Sequence, residues 1–561
     1  MINATVATDA TIEEALGDPF CPTNPHGVEA LLTADSQGLP PDATYSLLNE
    51  IGLQRIFVPT QLGGSFSDVL TVLRTLQPVF ARDAGLGLGY GVTSLMAGLN
   101  VWHSGSAIQQ RELADRLLAS QSVSVAYHEL DHGNDFSSNS LQTAPDPCGY
   151  RLHGRKEVIN NAGRASSAVV FARTSDTPGR SHSLFLVDLG NADAPEMTTA
   201  RRLPRFRTMA LCGAQLAGLE FEGHPVTTQD RIGAEGHGIE IALKSFQVSR
   251  VLMAGAALGP VDISLHMTAA FASQRIVYER RVAEIPHART NLAIAQSLLL
   301  AVDAAVSAAA VCLHTAPEYA SSQAAAVKYA APILLESAME HLAVVLGARF
   351  YLRTGPFALF GKHYRDLAPL GIGHAGSTSC LLSLLPQIRQ LLRENVDTAT
   401  RTAASSTLPP LDYSRLSLRT GSPDPIVTQI PHAAQLPHGH SQNDAVADTI
   451  DALARLRNGV AALPASSLGV TASPDAFDAA ARYAKIFVAG AALAARERSR
   501  TEFSDAWVRI ALSAIHAHGR RRPALDPTDV DVVMHRIERN TAGGRSLLLD
   551  EYAVQRSVPA L

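Results

Sequence analysis

The chain carries several groups whose types could do chemistry. His374 stands in the run Gly373-His374-Ala375-Gly376-Ser377. An imidazole titrates near neutral pH, so it can act there as base, acid or hydrogen-bond donor, and once protonated it stabilises an anionic intermediate. Gly233, Gly236 and Gly238 form a glycine-rich turn. No βαβ unit surrounds them, so they are not a dinucleotide fingerprint. His432, His438 and His440 lie close together, but no carboxylate or cysteine is spaced with them as a metal ligand, and no metal site is expected. The basic run Arg520 to Arg522 sits at a helix end, where it offsets the helix dipole.

Composition limits the context in which these groups work. The 561 residues are 46% hydrophobic and 18% charged, the pattern of a globular protein with large cores. At that length several domains are expected. Aromatics are 6% while alanine is abundant, which favours packed helices. A formal net charge of −5 points to neither nucleic acid nor an anionic membrane. The five cysteines, Cys21, Cys148, Cys212, Cys312 and Cys380, are dispersed, which suits reduced thiols in the cytoplasm. The first residues, MINATVATDATIEEAL, show no signal-peptide pattern. The most apolar stretch, 291–312, includes Asp303 and Gln296, so it is expected in a bundle core and not across a membrane.

Periodicity divides the chain into five segments. Apolar residues three and four apart predict a helical domain over 1–121, interrupted by a loop at Pro59, Gly63 and Gly64. Alternating and β-branched runs separated by turns predict a β domain over 122–235. Helical periodicity returns over 236–397. Residues 398–443 are rich in proline, serine and histidine and read as a linker crossing a surface. Residues 444–561 read as a further helical domain, with a helix pair in ARYAKIFVAGAALAARERS and DAWVRIALSAIHAHG.

Against this frame, two motifs carry a resemblance. Tyr127-His128-Glu129-Leu130-Asp131-His132-Gly133-Asn134-Asp135 is similar to T-E-P-x-x-G-S-D, keeping Glu129, Gly133 and Asp135 in register. Gly154-Arg155-Lys156-Glu157-Val158-Ile159-Asn160-Asn161-Ala162-Gly163 resembles G-x-K-x-(W/Y)-I-(T/S)-N-(A/G)-G. Both are signatures of the acyl-CoA dehydrogenase superfamily, which the chain resembles over about residues 45–400. The resemblance implies an α+β multidomain fold: an N-terminal helical domain, a central β-barrel-like domain and a C-terminal four-helix bundle. The extra C-terminal helical domain is similar to the extension of the very-long-chain branch.

The resemblance also implies a flavin cofactor, FAD. Tyr127, His128, Glu129, Gly133 and Asn134 would flank the flavin, with Val158 and Asn160 beside its N5. Arg275 would reach the FAD pyrophosphate of a neighbouring subunit. Gly347 falls in the loop that meets the adenosine part across a homodimer, although the tails of both those motifs are altered here. Ser249 and Arg250 fall at the substrate. The superfamily's catalytic glutamate position reads His374, and its alternative position reads Ser249, so both glutamates are absent. Val158 replaces an aromatic and would leave more room for O2 beside the flavin.

These departures favour an atypical oxidoreductase of bacterial specialised metabolism, similar to the epoxyketone-forming flavoenzymes. It would act on a β-keto acid or carrier-bound acyl substrate by decarboxylation and dehydrogenation, with oxygenation as a further step. The alternatives are an acyl-CoA α,β-dehydrogenase using His374 as base, and a non-catalytic flavoprotein.

Overall fold

The computed structural model describes residues 8–133, 135–190, 199–373, 376–394, 407–433, 444–499, 501–517 and 525–559. The chain divides into two compact units. One comprises Met1–Ala15, Ala30–Val79 and Asp83–Ser249; the other comprises Leu16–Glu29, Phe80–Arg82 and Arg250–Leu561.

In the first unit, the helices that precede the sheet have recognisable start signals. Asp68 caps the helix Val69–Arg82 by accepting from the Thr71 amide. Ser106 opens Ala107–Leu118 with a capping box, in which the Gln109 side chain accepts from the Ser106 amide at 2.9 Å. The same Gln109 donates to the Gln229 carbonyl at 2.8 Å, fastening this helix to the end of the sheet. In the loop before Val69–Arg82, a Cβ on Gly64 would lie 2.0 Å from the Val58 carbonyl oxygen, so only glycine fits.

Eight strands follow: β1 Val123–Ala126, β2 Gln142–Asp146, β3 Gly149–Ile159, β4 Ser167–Arg173, β5 His182–Asp188, β6 Ala200–Leu203, β7 Ala217–Thr227 and β8 Arg231–Ile232. They form one mixed sheet in the order β6-β7-β3-β2-β4-β5-β8, with β1 added parallel to β4 from Val123 opposite Ser167. β4 is buried from Ser167 to Ala172, which is why its sequence is a continuous apolar run. Leu152, Ile159, Val170, Phe185, Leu219 and Phe221 make the core beneath it. The long β3–β7 ladder breaks register between Lys156 and Ile159, a bulge that re-aims the side chains at the end of β3.

The second unit is helical. Its bundle includes Leu258–Gln274, Pro286–Thr315, Ala320–Leu346, Ala358–Ile372 and Ser377–Leu384. Three stretches, Gly238–Gln274, Pro286–Thr315 and Pro317–Tyr351, are long and apolar enough to cross a membrane by length and composition. Their most apolar windows are 100%, 78% and 56% buried inside the protein, which accounts for that apolarity as bundle core. Pro474–Ser499 and Glu502–His516 are the helix pair expected near the C-terminus, followed by Pro527–Ala542.

Two expectations are corrected here. The interval 236–397 is not helical throughout, because Ile276–Val277 and Arg280–Arg281 form a two-stranded hairpin. Its turn residues Tyr278 and Glu279 have φ of 50° and 61°, the pattern of a tight hairpin turn, and the β-branched pair before it favours extended backbone. Nor is the described part of 398–443 a linker lying on a surface. Leu416, Val427 and Ile430 are buried there, and the buried Asp424 caps Pro425–Thr428 while accepting a hydrogen bond from the Tyr483 hydroxyl. Prolines conceal the apolar anchors from a periodicity count.

The last residues act as a strap on the bundle. Asp262 accepts from the Leu547 amide at 2.6 Å, and Asp303 accepts from the Leu549 amide at 2.8 Å. Arg556 pairs with Asp262 at 2.7 Å, with side-chain exposures of 1% and 0%. Removing one partner leaves a buried charge, so Arg556→Ala is expected to cost about 3–5 kcal/mol in urea denaturation.

Candidate active site

In the first unit, the residues of the two motifs meet at the bulged end of β3. Tyr127 directly follows β1 and donates its hydroxyl to Asn100 Oδ1 at 2.7 Å, where the Ser245 hydroxyl also donates at 3.0 Å. Burial pushes the Tyr127 phenol well above its usual range, so it stays a donor. Lys156 points inward from β3 and is fully buried. Its ammonium donates to Glu129 Oε1 at 2.7 Å and to the Tyr127 carbonyl at 3.2 Å.

Glu129 is the hub of the loop after β1. Besides Lys156, it accepts from the Ser140 amide and hydroxyl, each at 2.7 Å, and from the Leu141 amide at 3.0 Å. Burial opposes its charge, but the Lys156 ammonium and the Ser140 donors outweigh that and hold the carboxyl at about 2. Burial is the larger influence on Lys156, lowering it to about 8 even beside Glu129. Gly133 turns the loop at φ 55° and donates its amide to the Glu129 carbonyl at 3.0 Å.

The half-buried His128 is held against the bulge. Its Nδ1 donates to the Glu157 carbonyl at 3.2 Å, which places a proton on Nδ1. The Glu157 amide answers by donating to the His128 carbonyl at 3.0 Å. Val158 has φ 56°, an outlier for a β-branched side chain. Backbone strain of this kind persists where surrounding contacts impose it, and such positions cluster at functional sites.

Asn160 follows the bulge. Its Nδ2 donates to Thr93 Oγ1 at 2.7 Å, and Thr93 in turn donates to the Leu88 carbonyl at 2.9 Å. Its Oδ1 is shielded from solvent and has no hydrogen-bond partner in the protein. Leu88–Val92 is a single π-helical turn, a feature common at functional sites. His128, Glu157, Val158 and Asn160 thus line one half-exposed edge, with Asn160 offering an acceptor that nothing in the protein uses. The edge offers polar atoms beside a small apolar side chain, which suits a flat, polar-rimmed ring.

The remaining predicted residues belong elsewhere. Ser249 is buried, and its hydroxyl donates into its own helix at the Phe246 carbonyl, 3.4 Å away. In the second unit, Arg250 is buried and donates to the Ser383 hydroxyl at 3.1 Å and the Ser379 hydroxyl at 3.5 Å. Arg275 is exposed at the end of Leu258–Gln274, lining a cavity of about 300 Å³ with Val344, Val345 and Leu346. The exposed Gly347, at φ 58°, closes the helix beside them. Arg365 and Asp366 form an ion pair at 2.9 Å, joined by Lys362 at 2.7 Å. His374, Asn134, His438, His440 and Arg520 to Arg522 lie outside the described residues. Among the described residues no cluster of three or more histidine, cysteine, aspartate or glutamate side chains could hold a metal.

Sequence reasoning missed Thr93 and Asn100, which bind Asn160 and Tyr127 from a helix 67 and 27 residues away. The cue was the run Gly85-Leu86-Gly87-Leu88-Gly89-Tyr90-Gly91, too rich in glycine for a plain helix interior.

The family "Acyl-CoA dehydrogenase, middle domain" matches residues 124–223, and "Acyl-CoA dehydrogenase, C-terminal domain" matches 236–385. The chain belongs to the acyl-CoA dehydrogenase superfamily. An acyl-CoA dehydrogenase of Bacillus subtilis is 27% identical over 234 residues, which is 41% of this chain and 60% of that relative's length. A solved acyl-CoA dehydrogenase of Bacillus anthracis, complexed with FAD, shares the fold at a TM-score of 0.71 and 15% identity, covering 95% of this chain and 94% of that one. A prolyl acyl carrier protein oxidase superposes at a TM-score of 0.58 and 18% identity, over 66% of this chain and 95% of that one. The wider cover of the Bacillus anthracis structure takes in the C-terminal helices as part of a shared fold.

Within this superfamily frame the Glu129 pair gives a pH test. Its folded value of about 2 lies below the ordinary 4.5, so the stability it contributes is complete above about pH 4.5 and is lost as pH falls toward 2. Glu129→Gln should lower the melting temperature at neutral pH, and the gap to the parent protein should narrow steadily below about pH 4.5.

Proposed function

We propose that this superfamily oxidoreductase holds FAD at the Asn160 edge and acts on a β-keto acid or carrier-bound acyl substrate. The observation that carries the reading is the shielded, unpartnered Oδ1 of Asn160 beside the strained Val158. A buried polar atom left unpaired is costly, and a ring edge placed there would relieve it. His128, Glu157 and Val158 would flank the ring, with Tyr127 and Glu129 holding that edge rigid from behind. When bound, FAD supplies the two-electron acceptor.

The chain's own residues favour a reaction that needs no carboxylate base. Both positions that hold the superfamily's glutamate are occupied by other residues, His374 and Ser249. Ser249 spends its proton on the Phe246 carbonyl and is buried, so it offers no base. Loss of CO2 from a β-keto acid leaves the electron pair of the broken carbon–carbon bond on the α-carbon, and no α-proton need be removed. His374 would hold the developing enolate oxygen by a hydrogen bond without quenching it. The enolate then re-forms its carbonyl as the carbon next to the α-carbon gives up a hydride, so the product is an α,β-unsaturated ketone and the two electrons go to the acceptor that FAD would supply. Likeness in fold to a prolyl acyl carrier protein oxidase supports a carrier-bound substrate as the second form of this reading.

We infer a homodimer as well. The exposed Ile276, Tyr278 and Tyr351, at 62%, 94% and 65%, on the unit that bears Arg275 and Gly347 support it as residues a partner would cover. No disulfide joins the five cysteines, which suits the cytoplasm.

Anaerobic mixing tests the reaction. The purified yellow protein should bleach with a β-keto acid, release CO2 and recover its colour when air is admitted. His374→Ala should slow bleaching at least tenfold with FAD content unchanged. Bleaching by a saturated acyl-CoA alone would favour the α,β-dehydrogenase instead, and no bleaching by either would leave a non-catalytic flavoprotein.

A further inference from the structure

The turn after β3 is laced to the π-helical turn by two neighbouring asparagines. Asn160 binds Thr93, and Asn161, held at φ 62°, donates its Nδ2 to the Gly89 carbonyl. Gly89 and Thr93 are four residues apart, so the two contacts lie about one turn apart along the helix. One end of this ladder is the Asn160 edge. The other end is occupied by Tyr45 and Arg164, and neither takes part in anything described above.

Both of these side chains carry a polar atom without a partner. The Arg164 guanidinium carbon lies 4.0 Å from the centroid of the Tyr45 ring, a stacked cation–π contact. Its Nε donates to Asn161 Oδ1 at 2.9 Å, which orients the fork. Its Nη2, however, is shielded from solvent and bonds to nothing in the protein, and the same is true of Tyr45 Oη. The two atoms face one glycine: a Cβ on Gly89 would lie 2.9 Å from Tyr45 Oη and 3.3 Å from Arg164 Nη2. Any larger residue there would displace both.

The charge is as incomplete as the hydrogen bonding. Arg164 forms no ion pair among the described residues, and Asp42 is the acid whose charge reaches it. Burial lowers the Arg164 guanidinium to about 10. A guanidinium nitrogen shielded from solvent and left without a hydrogen-bond partner is costly, and a planar anion that accepts from both Nη2 and a phenol hydroxyl would relieve it.

We propose that Arg164 and Tyr45 form a specificity subsite for a carboxylate of the substrate, one helical turn from the Asn160 edge. The inference rests on the reading of that edge as the reaction site. An arginine that holds a carboxylate stabilises the very anion that decarboxylation destroys. The group held here is therefore a remote carboxylate that the substrate keeps, and the substrate is a short acyl chain with an acidic end. Arg164 and Tyr45 select that chain and take no part in bond breaking.

Calorimetric titration of the FAD-loaded protein with glutarate and with its uncharged diamide tests this without turnover. Glutarate is expected to bind at least tenfold more tightly than the diamide. Arg164→Gln should erase that preference, and Tyr45→Phe, which keeps the ring and loses only the hydroxyl, should reduce it several-fold while leaving the melting temperature within a few degrees. Equal affinity for the two probes, or a preference that survives Arg164→Gln in a folded protein, would overturn the subsite. FAD content is scored separately. A chain that takes up no FAD yet prefers glutarate contradicts the flavin reading alone, and one that keeps FAD without preferring glutarate contradicts the subsite alone.

Discussion

A buried ion pair, Lys156 with Glu129 at 2.7 Å, underlies the architecture of the candidate site. Lys156 is fully buried and Glu129 nearly so, which would be a poor bargain for a lone pair in an apolar interior. Here the remaining valences are filled: Tyr127 offers its carbonyl to the ammonium, while Ser140 and Leu141 donate to the carboxylate. A fully satisfied buried network rigidifies what it joins. It joins β3 to the segment between β1 and β2, and so fixes where His128 and Gly133 stand. Remove the pair and the loop loses both its anchor and its charge balance.

Rigidity on one side permits strain on the other. Val158 and Asn161 both sit at positive φ within four residues, and the β3–β7 ladder skips register beside them. Such conformations cost about 1–3 kcal/mol each, so the surrounding structure must impose them. The asparagine contacts to Gly89 and Thr93 do this from the helix side, and the Lys156 network does it from the sheet side. The product is an edge of polar atoms with Asn160 Oδ1 left unsatisfied, and a second end where Arg164 and Tyr45 are left the same way.

Much of this was legible in the residues. The spacing within 127–135 and 154–163 marked Tyr127, His128, Glu129, Val158 and Asn160, and the structure brings all five to one end of the sheet. Alternation and helical periodicity located the strand-rich segment and the helices around it. What was hidden depends on distance in the chain. Lys156 stood in the motif, but nothing in its spacing showed that its partner is Glu129, 27 residues earlier. Tyr45 and Arg164 are far apart and meet only because the sheet returns to the N-terminal helices. The hairpin at Ile276–Val277 was too short for periodicity to detect, and prolines masked the buried anchors near Asp424. His374, the residue on which the chemical reading leans most, lies outside the described residues.

The central claim is that the Asn160 edge, held by the Lys156–Glu129 network, is where FAD sits. Hydrogen exchange of the FAD-loaded protein against its FAD-stripped form tests it most directly. Slower exchange on loading, concentrated in amides of 127–133 and 157–163, is the predicted result. Unchanged exchange in both segments, with protection confined to other parts of the chain, would contradict it.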